Sequence, residues 1–306
     1  MQVTPDVLDR AKGALVGLAV GDALGTTLEF SARDSRSHHT TLTGGGPFDL
    51  APGQWTDDTS MALALADSLL STGRLDPADL MTRFVAWWRK GEYSCTGACF
   101  DIGVQTAAAL RRFERTGNPV QGTTREDDAG NGSLMRLSPA VIFGLGDPAR
   151  VRQLAREQSR TTHAAPQCLD ACSFLAEVVH EAILGQPDVL RPRDPQGHAA
   201  VQAIAAGSYR LKTRDEIRSG GYVVDTLEAA LWCVVQTRTF EDALVMAVNL
   251  GQDSDTVGAV TGQLAGALYG ASAIPPRWLS PLAWRERIAK LAVELVRARS
   301  AAFTAH

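Results

Sequence analysis

The sequence predicts an all-α protein in which ten or more helices form one compact domain. Apolar residues recur at intervals of three and four positions through most of the 306 residues, which is the spacing of a helix with one buried side. Several of these segments, such as residues 223–235, are apolar on every side, as expected for helices inside a multilayer packing. Alternating patterns typical of strands are scarce, and the best candidate for a short strand is residues 40–43.

The first predicted helix begins close to the N-terminus. Its buried side is formed by Val7, Leu8, Ala11, Leu15, Leu18 and Ala19. The same spacing predicts helices at residues 61–70, 80–89, 104–113, 134–143, 171–184, 223–235, 243–250, 257–268 and 282–296. Segments rich in Gly, Pro, Thr and Asp predict loops at residues 31–53, 117–130 and 186–197. Since no Pro/Gly/Ser linker separates these segments, we expect one domain over residues 1–306.

Composition and charge exclude several classes of protein. Hydrophobic residues make up 45% of the chain and charged residues 21%, so disordered and low-complexity proteins are excluded. The net charge of -4 gives little attraction to nucleic acid or to an anionic membrane surface, and we expect neither as a partner. The N-terminus lacks the basic and apolar regions of a signal peptide, and the five cysteines form no zinc-binding pattern. We therefore expect a cytoplasmic protein with reduced thiols.

The most informative segment is residues 53–60, in which two threonines flank two adjacent aspartates. Thr56, Asp57, Asp58 and Thr59 directly precede an apolar helix, so their side chains are candidates to cap it by accepting hydrogen bonds from free backbone N–H groups. A cap does not require adjacent carboxylates, whose repulsion is relieved when a cation lies between them. Carboxylate and hydroxyl oxygens suit hard cations such as Mg²⁺, Ca²⁺ and Mn²⁺. Taken alone, this segment fits a plain cap and a metal site equally well.

A second acidic segment, residues 249–258, changes that balance in favour of a metal site. Asp253, Asp255 and Thr256 again lie just before an apolar helix. The spacing of the two aspartates allows both carboxylates to point the same way from an extended turn, whereas the Gly and Glu of an EF-hand loop are absent. Two such helix starts can meet at one site. Together they offer six oxygen-bearing side chains, which could hold two metal ions.

Further motifs carry weaker signals. Asp101 lies at the start of another predicted helix. Residues 130–136 enter a predicted helix with small side chains, so their N–H groups could bind an anion such as a diphosphate. His163 follows two threonines. Tyr222 follows two glycines, and its ring could stack on a base or anchor the next helix. Each of these motifs alone is more often structural than functional.

The order of the motifs resembles that of the ADP-ribosylglycohydrolase family. The matching motifs are, in chain order, Gly21-Asp22-Ala23-Leu24-Gly25 with Glu29, Trp55-Thr56-Asp57-Asp58-Thr59, Cys99-Phe100-Asp101-Ile102-Gly103, Gly130-Asn131-Gly132-Ser133-Leu134-Met135-Arg136, Thr162-His163, Gly220-Gly221-Tyr222 and Gln252-Asp253-Ser254-Asp255-Thr256. Within this family the chain looks most like the dinitrogenase reductase-activating glycohydrolases. The resemblance extends over residues 12–270, and its most specific part is the two Asp/Thr clusters.

The resemblance implies an all-α fold with a binuclear Mg²⁺ or Mn²⁺ centre in a cleft. The implied metal ligands are Thr56, Asp57, Asp58, Asp253, Asp255 and Thr256, with no departure from the family pattern. The acidic residue that the family associates with hydrolysis of arginine-linked ADP-ribose corresponds to Asp101, which favours ADP-ribosylarginine as the substrate. Asp101 or Glu29 would move a proton during cleavage of the N-glycosidic bond. Direct attack and a ring-opening route both remain open.

The resemblance also implies the substrate contacts and the partner. Ribose and phosphate contacts would come from Asn131, Gly132, Ser133 and His163, and Tyr222 would form the adenine platform. The implied partner is an ADP-ribosylated protein or an ADP-ribose small molecule. We expect the protein to act as a monomer.

Three alternatives remain open from the sequence. The enzyme could cleave O-linked ADP-ribose, as in ADP-ribosylserine or O-acetyl-ADP-ribose. The chain could also be a non-catalytic protein that binds ADP-ribose, although four aspartates at two helix starts argue against an inert descendant. A metal-dependent phosphohydrolase of another fold would bring histidine ligands, and the six histidines of this chain lie outside both clusters.

Overall fold

Helices make up most of the computed structural model, which describes residues 3–303 and the side chains of residues 3–298. Within that range lie the helices α1 (Pro5–Gly25), α2 (Asp57–Thr72), α3 (Pro77–Lys90), α4 (Val104–Thr116), α5 (Ser138–Phe143), α6 (Pro148–Arg160), α7 (Pro166–Ile183), α8 (Ala199–Ala205), α9 (Val223–Gln236), α10 (Phe240–Val248), α11 (Ser254–Tyr269), α12 (Pro276–Leu279) and α13 (Arg285–Phe303). The ends of the predicted domain, residues 1–2 and 304–306 with His306, lie outside the described residues. The predicted all-α fold is confirmed. No helix of the described part is long and apolar enough to cross a membrane.

Two helices lie in backbone contact at the centre of the fold. α1 and α11 face each other through paired glycines, which are Gly13 with Gly266, Gly17 with Gly262, and Gly21 with Gly258. A Cβ added to Gly17 would lie 2.3 Å from the carbonyl oxygen of Gly262, so no side chain fits between the two helices. The end of α1 consequently lies against the start of α11, where a Cβ on Gly25 would lie 2.4 Å from the Cα of Asp255.

The remaining helices pack around this central pair and enclose one apolar core. α9 and α10 pack against α11, α13 packs against α1, and α7 contacts both central helices. α2 contacts both α1 and α11 and packs on its other sides against α3, α5 and α13. The start of α2, the start of α11 and the end of α1 therefore lie at one end of the fold. Both acidic segments of the sequence are brought to this end.

The predicted strand at residues 40–43 is wrong. These residues form an irregular loop in which the carbonyl of Thr40 accepts a hydrogen bond from the ring N–H of Trp278 at 3.1 Å. The described residues contain no strand, and nearby there is only an isolated bridge between Gly45 and Leu50. A β-branched run becomes a strand only beside a partner that satisfies its backbone hydrogen bonds, and this loop has none.

The helix predicted at residues 134–143 is correct only from Ser138 onward. Residues 131–136 form turns instead. The backbone N–H groups of Leu134 and Met135 close these turns by donating to the carbonyl of Asn131. The prediction extended the helix too far toward the N-terminus because this turn is as apolar as a helix. The small residues around position 132 therefore do not enter a helix directly.

Three helices have no counterpart among the predictions. α6 buries only a narrow apolar stripe of Val151, Leu154 and Ala155, and polar or charged residues occupy most of its other positions. α8 and α12 are too short to display a repeating apolar pattern. α13 was predicted from residue 282 and begins at Arg285, directly after a residue with a positive φ of 53° at Trp284.

Candidate active site

A cleft opens where the start of α2 meets the start of α11. Its volume of about 830 Å³ lies in the range of small-molecule sites. The predicted site residues that line it are Glu29, Asp57, Asp101, Asn131, Gly132, His163, Asp253, Asp255 and Thr256. Four other predicted site residues do not line it, and these are Thr56, Asp58, Ser133 and Tyr222.

The two acidic clusters of the sequence are in direct contact. The hydroxyl oxygen of Thr56 lies 3.2 Å from Oδ2 of Asp58 and 3.3 Å from Oδ2 of Asp255. From the second cluster, the hydroxyl oxygen of Thr256 lies 3.5 Å from the same oxygen of Asp58. Thr56 and Asp58 are almost fully buried behind the cleft lining. The helix packing thus joins residues that are 199 positions apart in the chain.

Asp22 of α1, to which the sequence assigned no role, organises the start of α2. Its carboxylate accepts hydrogen bonds from the backbone N–H groups of Thr56 and Thr59 at 2.9 and 3.0 Å, and from the Thr59 hydroxyl at 2.6 Å. The possible cap of α2 by its own threonine is wrong, because the Thr56 side chain makes no capping bond. The sequence does carry a signal for Asp22, since it is the one charged residue between positions 14 and 25.

Asp253, just before α11, is held by the turn that contains Asn131. Oδ2 of Asp253 accepts a hydrogen bond from the amide nitrogen of Asn131 at 2.8 Å, and the same nitrogen donates to the Thr226 hydroxyl at 2.9 Å. The backbone N–H of Asp253 donates to the carbonyl of Ser219 at 2.9 Å. Asn131 therefore fixes an acidic side chain of the cleft, and its amide nitrogen is committed to that task.

Acidic side chains are concentrated in the cleft, and no basic residue belongs to its lining. Six of the residues that line it are Asp or Glu, and none is Lys or Arg. Burial, followed by the charge of Asp101, raises the pKa of Glu29 to about 10. Burial is also the main cause that raises the pKa of Asp101 to about 7. The pKa values of Asp57, Asp58 and Asp255 are raised well above their usual range, again chiefly by burial.

Two groups of carboxylates have the spacing of a cation site. One oxygen each from Asp22, Asp58 and Asp255 lies within 4.8 Å of the others, and the same holds for Glu29, Asp101 and Asp255. Among the described residues, Oδ1 of Asp58, Oδ1 of Asp255 and Oε2 of Glu29 are buried without a hydrogen-bond partner. Buried oxygens of this kind need a partner, and Mg²⁺ and Mn²⁺ prefer oxygen ligands. The donor set therefore fits divalent cations, with Asp255 common to both groups.

These groups overlap only in part with the predicted metal ligands. Asp58 and Asp255 belong to both sets. Asp57 and Asp253 line the same cleft but belong to neither group of closely spaced oxygens. Asp22 joins one group although no metal role was predicted for it.

His163 and Gly132 form one wall of the cleft. A Cβ added to Gly132 would lie 2.7 Å from Cε1 of the His163 ring, so the ring can approach only because residue 132 has no side chain. The backbone N–H of Gly132 has no acceptor among the described residues. A free N–H beside an imidazole is a donor pair that can bind an anion.

The other predicted substrate residues lie outside this wall. The Ser133 hydroxyl is fully buried and accepts a hydrogen bond from Ser159 at 2.7 Å, so the predicted substrate contact of Ser133 cannot involve its side chain. The turn at residues 131–136 directs that side chain into the interior. Tyr222 lies at the start of α9 with 37% of its surface exposed. It is therefore not a core residue, although its ring is not part of the cleft lining.

Three residues that line the cleft have a backbone conformation that is rare outside glycine. The φ angles of Phe30, Asp101 and Gln252 are 57°, 55° and 58°. Such strain persists only where the surrounding structure fixes it. The N–H of Phe30 donates to the carbonyl of Gln252 at 2.7 Å, and the N–H of Gln252 donates to the carbonyl of Ser31 at 2.8 Å. The ring of Phe30 is 69% exposed, and no local sequence pattern indicated a role for it.

Comparison with known protein families identifies the chain. A family model described as ADP-ribosylglycohydrolase matches residues 3–304, almost the whole chain. The chain belongs to the ADP-ribosylglycohydrolase family. The resemblance inferred from the order of the motifs is thereby confirmed, and so is the prediction that the chain is a glycohydrolase enzyme.

Two curated members of the ADP-ribosylglycohydrolase family illustrate the similarity. The chain is 49% identical over 296 residues to the ADP-ribosylarginine hydrolase Tri1 of Pseudomonas putida, which covers 96% of this chain and 80% of that protein. It is 39% identical over 290 residues to the ADP-ribosyl-[dinitrogen reductase] glycohydrolase of Rhodospirillum rubrum, with 91% of this chain and 92% of that protein covered.

The fold is also that of a solved ADP-ribosylglycohydrolase relative. A structure described as an ADP-ribosylglycohydrolase-related protein complex superposes with a TM-score of 0.87 and 43% sequence identity. The match covers 97% of this chain and 100% of that chain. The chain therefore shares the helical architecture of the solved structure over nearly its entire length.

Proposed function

We propose that this ADP-ribosylglycohydrolase removes ADP-ribose from arginine side chains of modified proteins, with two divalent cations, Mg²⁺ or Mn²⁺, bound in the cleft. The observation that carries the proposal is that Asp101 and Glu29 lie in the cleft beside the candidate cation ligands, while no Lys or Arg belongs to its lining. A guanidinium leaving group is positive and is attracted to such a site, whereas a serine-linked or acetyl-linked substrate brings no positive charge. The name of the Pseudomonas putida relative agrees with arginine as the linkage, and the name of the Rhodospirillum rubrum relative agrees with an ADP-ribosylated protein as the substrate.

The cations would be held by the side chains of both acidic clusters. The candidate ligands are Thr56, Asp57, Asp58, Asp253, Asp255 and Thr256, and the structure adds Asp22 as a third carboxylate beside Asp58 and Asp255. The buried oxygens of Asp58 and Asp255 that lack a hydrogen-bond partner support this assignment. Bound cations of this kind orient ribose hydroxyls and favour the deprotonation of a water molecule.

Asp101 and Glu29 would handle protons at the bond that breaks. Cleavage joins a water oxygen to the anomeric carbon, breaks the bond from that carbon to the guanidine nitrogen, and returns a proton to the nitrogen. Oxygens of Asp101 and Glu29 lie within 4.8 Å of each other and of Asp255, so both carboxyl groups reach the same part of the cleft. In this proposal the cations bind to the two acidic clusters, and Asp101 and Glu29 are not cation ligands. Asp101 gives the proton to the guanidine nitrogen, and Glu29 is the alternative proton donor.

The cleft wall formed by Gly132 and His163 would bind the remainder of ADP-ribose. The free N–H of Gly132 and the ring of His163 are donors for phosphate oxygens, and Asn131 contributes by holding Asp253. Tyr222 directly follows Gly220 and Gly221, which line the cleft. Its ring would stack on the adenine at the edge of the cleft. Phe30 directly follows Glu29, lines the cleft and is exposed, so its ring is our candidate for contact with the guanidinium group.

The decisive experiment compares release of ADP-ribose from two modified peptides. One peptide carries ADP-ribose on arginine and the other on serine, and each is incubated with the protein in Mg²⁺, in Mn²⁺ and in EDTA. We expect rapid release from the arginine peptide with either cation, little release from the serine peptide, and no release in EDTA. Faster release from the serine peptide contradicts the substrate assignment. Equal rates in EDTA contradict the role of the cations.

A further inference from the structure

Arg136 is a buried cation without a carboxylate partner. Its side chain is fully buried, and no described Asp or Glu lies within salt-bridge distance of its guanidinium group. Instead, Nε donates to the side-chain oxygen of Gln158 at 2.9 Å, and the guanidinium lies 4.6 Å above the Phe84 ring. Burial of a charge is unfavourable unless its polar atoms are hydrogen-bonded, so Arg136 requires the hydrogen bonds that surround it.

One arm of this network reaches His163 through Thr162. Nη2 of Arg136 donates to the hydroxyl oxygen of Thr162 at 2.9 Å, and that oxygen lies 2.8 Å from Nδ1 of His163. Arginine can only donate hydrogen bonds, so the Thr162 oxygen is an acceptor toward it. The hydroxyl proton of Thr162 is then left for Nδ1 of His163, and no other acceptor for it lies among the described residues.

This arrangement selects one tautomer of the ring. If Nδ1 accepts the proton of Thr162, a neutral His163 must carry its own proton on Nε2. The opposite tautomer would donate from Nδ1 and would leave the Thr162 hydroxyl proton buried without an acceptor, which is unfavourable. Burial, followed by the charge of Arg136, lowers the pKa of His163 to about 3, which is consistent with a neutral ring near pH 7.

The proton-bearing nitrogen lies on the cleft side of the ring. A Cβ added to Gly132 would be 3.1 Å from Nε2 of His163, and one added to Gly130 would be 3.4 Å from it. Both glycines line the cleft together with His163. Nε2 thus lies beside two glycines of the cleft wall, so that it and the N–H of Gly132 are candidates to bind the same anionic group.

We propose that Arg136 and Thr162 are positioning residues that hold His163 with its proton on Nε2, so that the ring donates a hydrogen bond to a phosphate oxygen of ADP-ribose. This proposal rests on the proposed function for the identity of the ligand. It explains how a cleft without Lys or Arg in its lining binds a diphosphate. The positive charge of Arg136 stays in the interior and polarises the Thr162–His163 pair from behind.

The tautomer is tested by nuclear magnetic resonance on the full-length protein labelled with ¹⁵N in its histidine rings. In ligand-free protein near pH 7, we expect His163 to show a protonated Nε2 and an unprotonated Nδ1. The signals of this ring are assigned by their loss in His163→Asn. Thr162→Val should populate the other tautomer or a mixture, and Thr162→Ser should restore the wild-type signal. A wild-type ring protonated on Nδ1 overturns the proposal.

Binding of ADP-ribose in Mg²⁺ supplies the second measurement. Because one hydrogen bond to the ligand is lost, Thr162→Val should raise the Kd about tenfold, and KM should rise more than kcat falls. Thr162→Ser should bind as the wild type does. An unchanged Kd in Thr162→Val overturns the role of Thr162 in substrate binding.

Thr161→Val is the matched control for packing. The Thr161 hydroxyl also accepts a hydrogen bond from Nη2 of Arg136, at 3.3 Å, but it makes no hydrogen bond to His163. We expect this variant to lose stability while its His163 tautomer and its Kd stay at the wild-type values. If Thr161→Val weakens binding as much as Thr162→Val, the effect is structural and the proposal fails.

The tautomer measurement needs no ligand, so it separates the two hypotheses. Wild-type protein that shows the expected tautomer but neither binds nor releases ADP-ribose contradicts the proposed function and leaves the network intact. If Thr162→Val does not fold, Thr162→Ser and the wild-type spectrum still decide the tautomer.

Discussion

Gly21 of α1 lies directly against Gly258 of α11, because a Cβ added to Gly21 would be 2.0 Å from the carbonyl oxygen of Gly258. The next residue of α1 is Asp22, whose carboxylate holds the start of α2. The close approach of the two central helices therefore brings Asp22 beside the start of α11, behind the cleft. The glycine contact takes no part in the chemistry, but it positions the acidic side chains that do.

The first prediction concerns this contact. Gly21→Ala should lower the free energy of unfolding by about 1–3 kcal/mol, because overpacking outweighs the better helix propensity of alanine. Gly103→Ala is the control, since its Cβ would meet only the Thr106 hydroxyl at 3.9 Å. Chemical denaturation of both variants measures the difference. Equal stability of Gly21→Ala and wild type would contradict the tight packing of α1 on α11.

The second prediction concerns cations and stability. Mg²⁺ or Mn²⁺ should raise the melting temperature, since a ligand at 100 times its Kd stabilises the folded state by about 2.7 kcal/mol. Asp255→Asn should abolish this rise and the turnover, and in EDTA it should melt at a higher temperature than wild type because one buried carboxylate is removed. Glu286→Gln, at a side chain that is 93% exposed, should respond to cations as wild type does. An undiminished cation response in Asp255→Asn contradicts the assignment.

The third prediction concerns Asp101. Asp101→Asn should reduce kcat on the arginine-linked peptide by about 10²–10⁴-fold, because loss of general acid catalysis has effects of this size. Any residual activity on O-linked ADP-ribose should fall less. Asp128→Asn, which lines the same cleft but is paired with Arg125, should remain close to wild type. A wild-type rate in Asp101→Asn would show that Asp101 delivers no proton.

The fourth prediction concerns Tyr222. If its ring stacks on adenine, Tyr222→Ala should weaken ADP-ribose binding about tenfold, since base stacking contributes about 1–3 kcal/mol in single-strand nucleic-acid binders. The melting temperature should change little because the side chain is half-exposed. Tyr222→Phe should bind normally. A lower melting temperature with unchanged affinity, measured by calorimetry, identifies Tyr222 as a structural anchor of α9.

The fifth prediction concerns Phe30. Phe30→Ala should raise KM for the arginine-linked peptide by about two- to fivefold, the value of a cation–π contact at an exposed site. The Kd for free ADP-ribose, which lacks the guanidinium group, should not change. Phe30→Tyr should retain the wild-type KM. If binding of free ADP-ribose weakens by the same factor, Phe30 supports the backbone of the cleft and does not recognise the arginine.

The sequence alone determined that the fold is all-α and that the site is built from acidic side chains. The apolar spacing of three and four residues reports which side of a segment is buried, so it predicted most helices and correctly excluded an extensive sheet. Two pairs of aspartates at helix starts stood out because their mutual repulsion is unfavourable unless a cation lies between them. The order of the motifs was sufficient to predict the family.

Only the tertiary structure decided how these residues meet, because local spacing contains no information on contacts between distant segments. Asp22 caps a helix 34 positions away, and the Ser133 hydroxyl turns inward because its segment forms turns in place of a helix. The proposed tautomer of His163 likewise depends on Arg136, whose hydrogen bonds join the turn at residues 131–136 to α6 and to Thr162. The packing of α1 on α11 through paired glycines brings Gly25 against Asp255, a contact between distant segments that the apolar spacing within either helix does not specify.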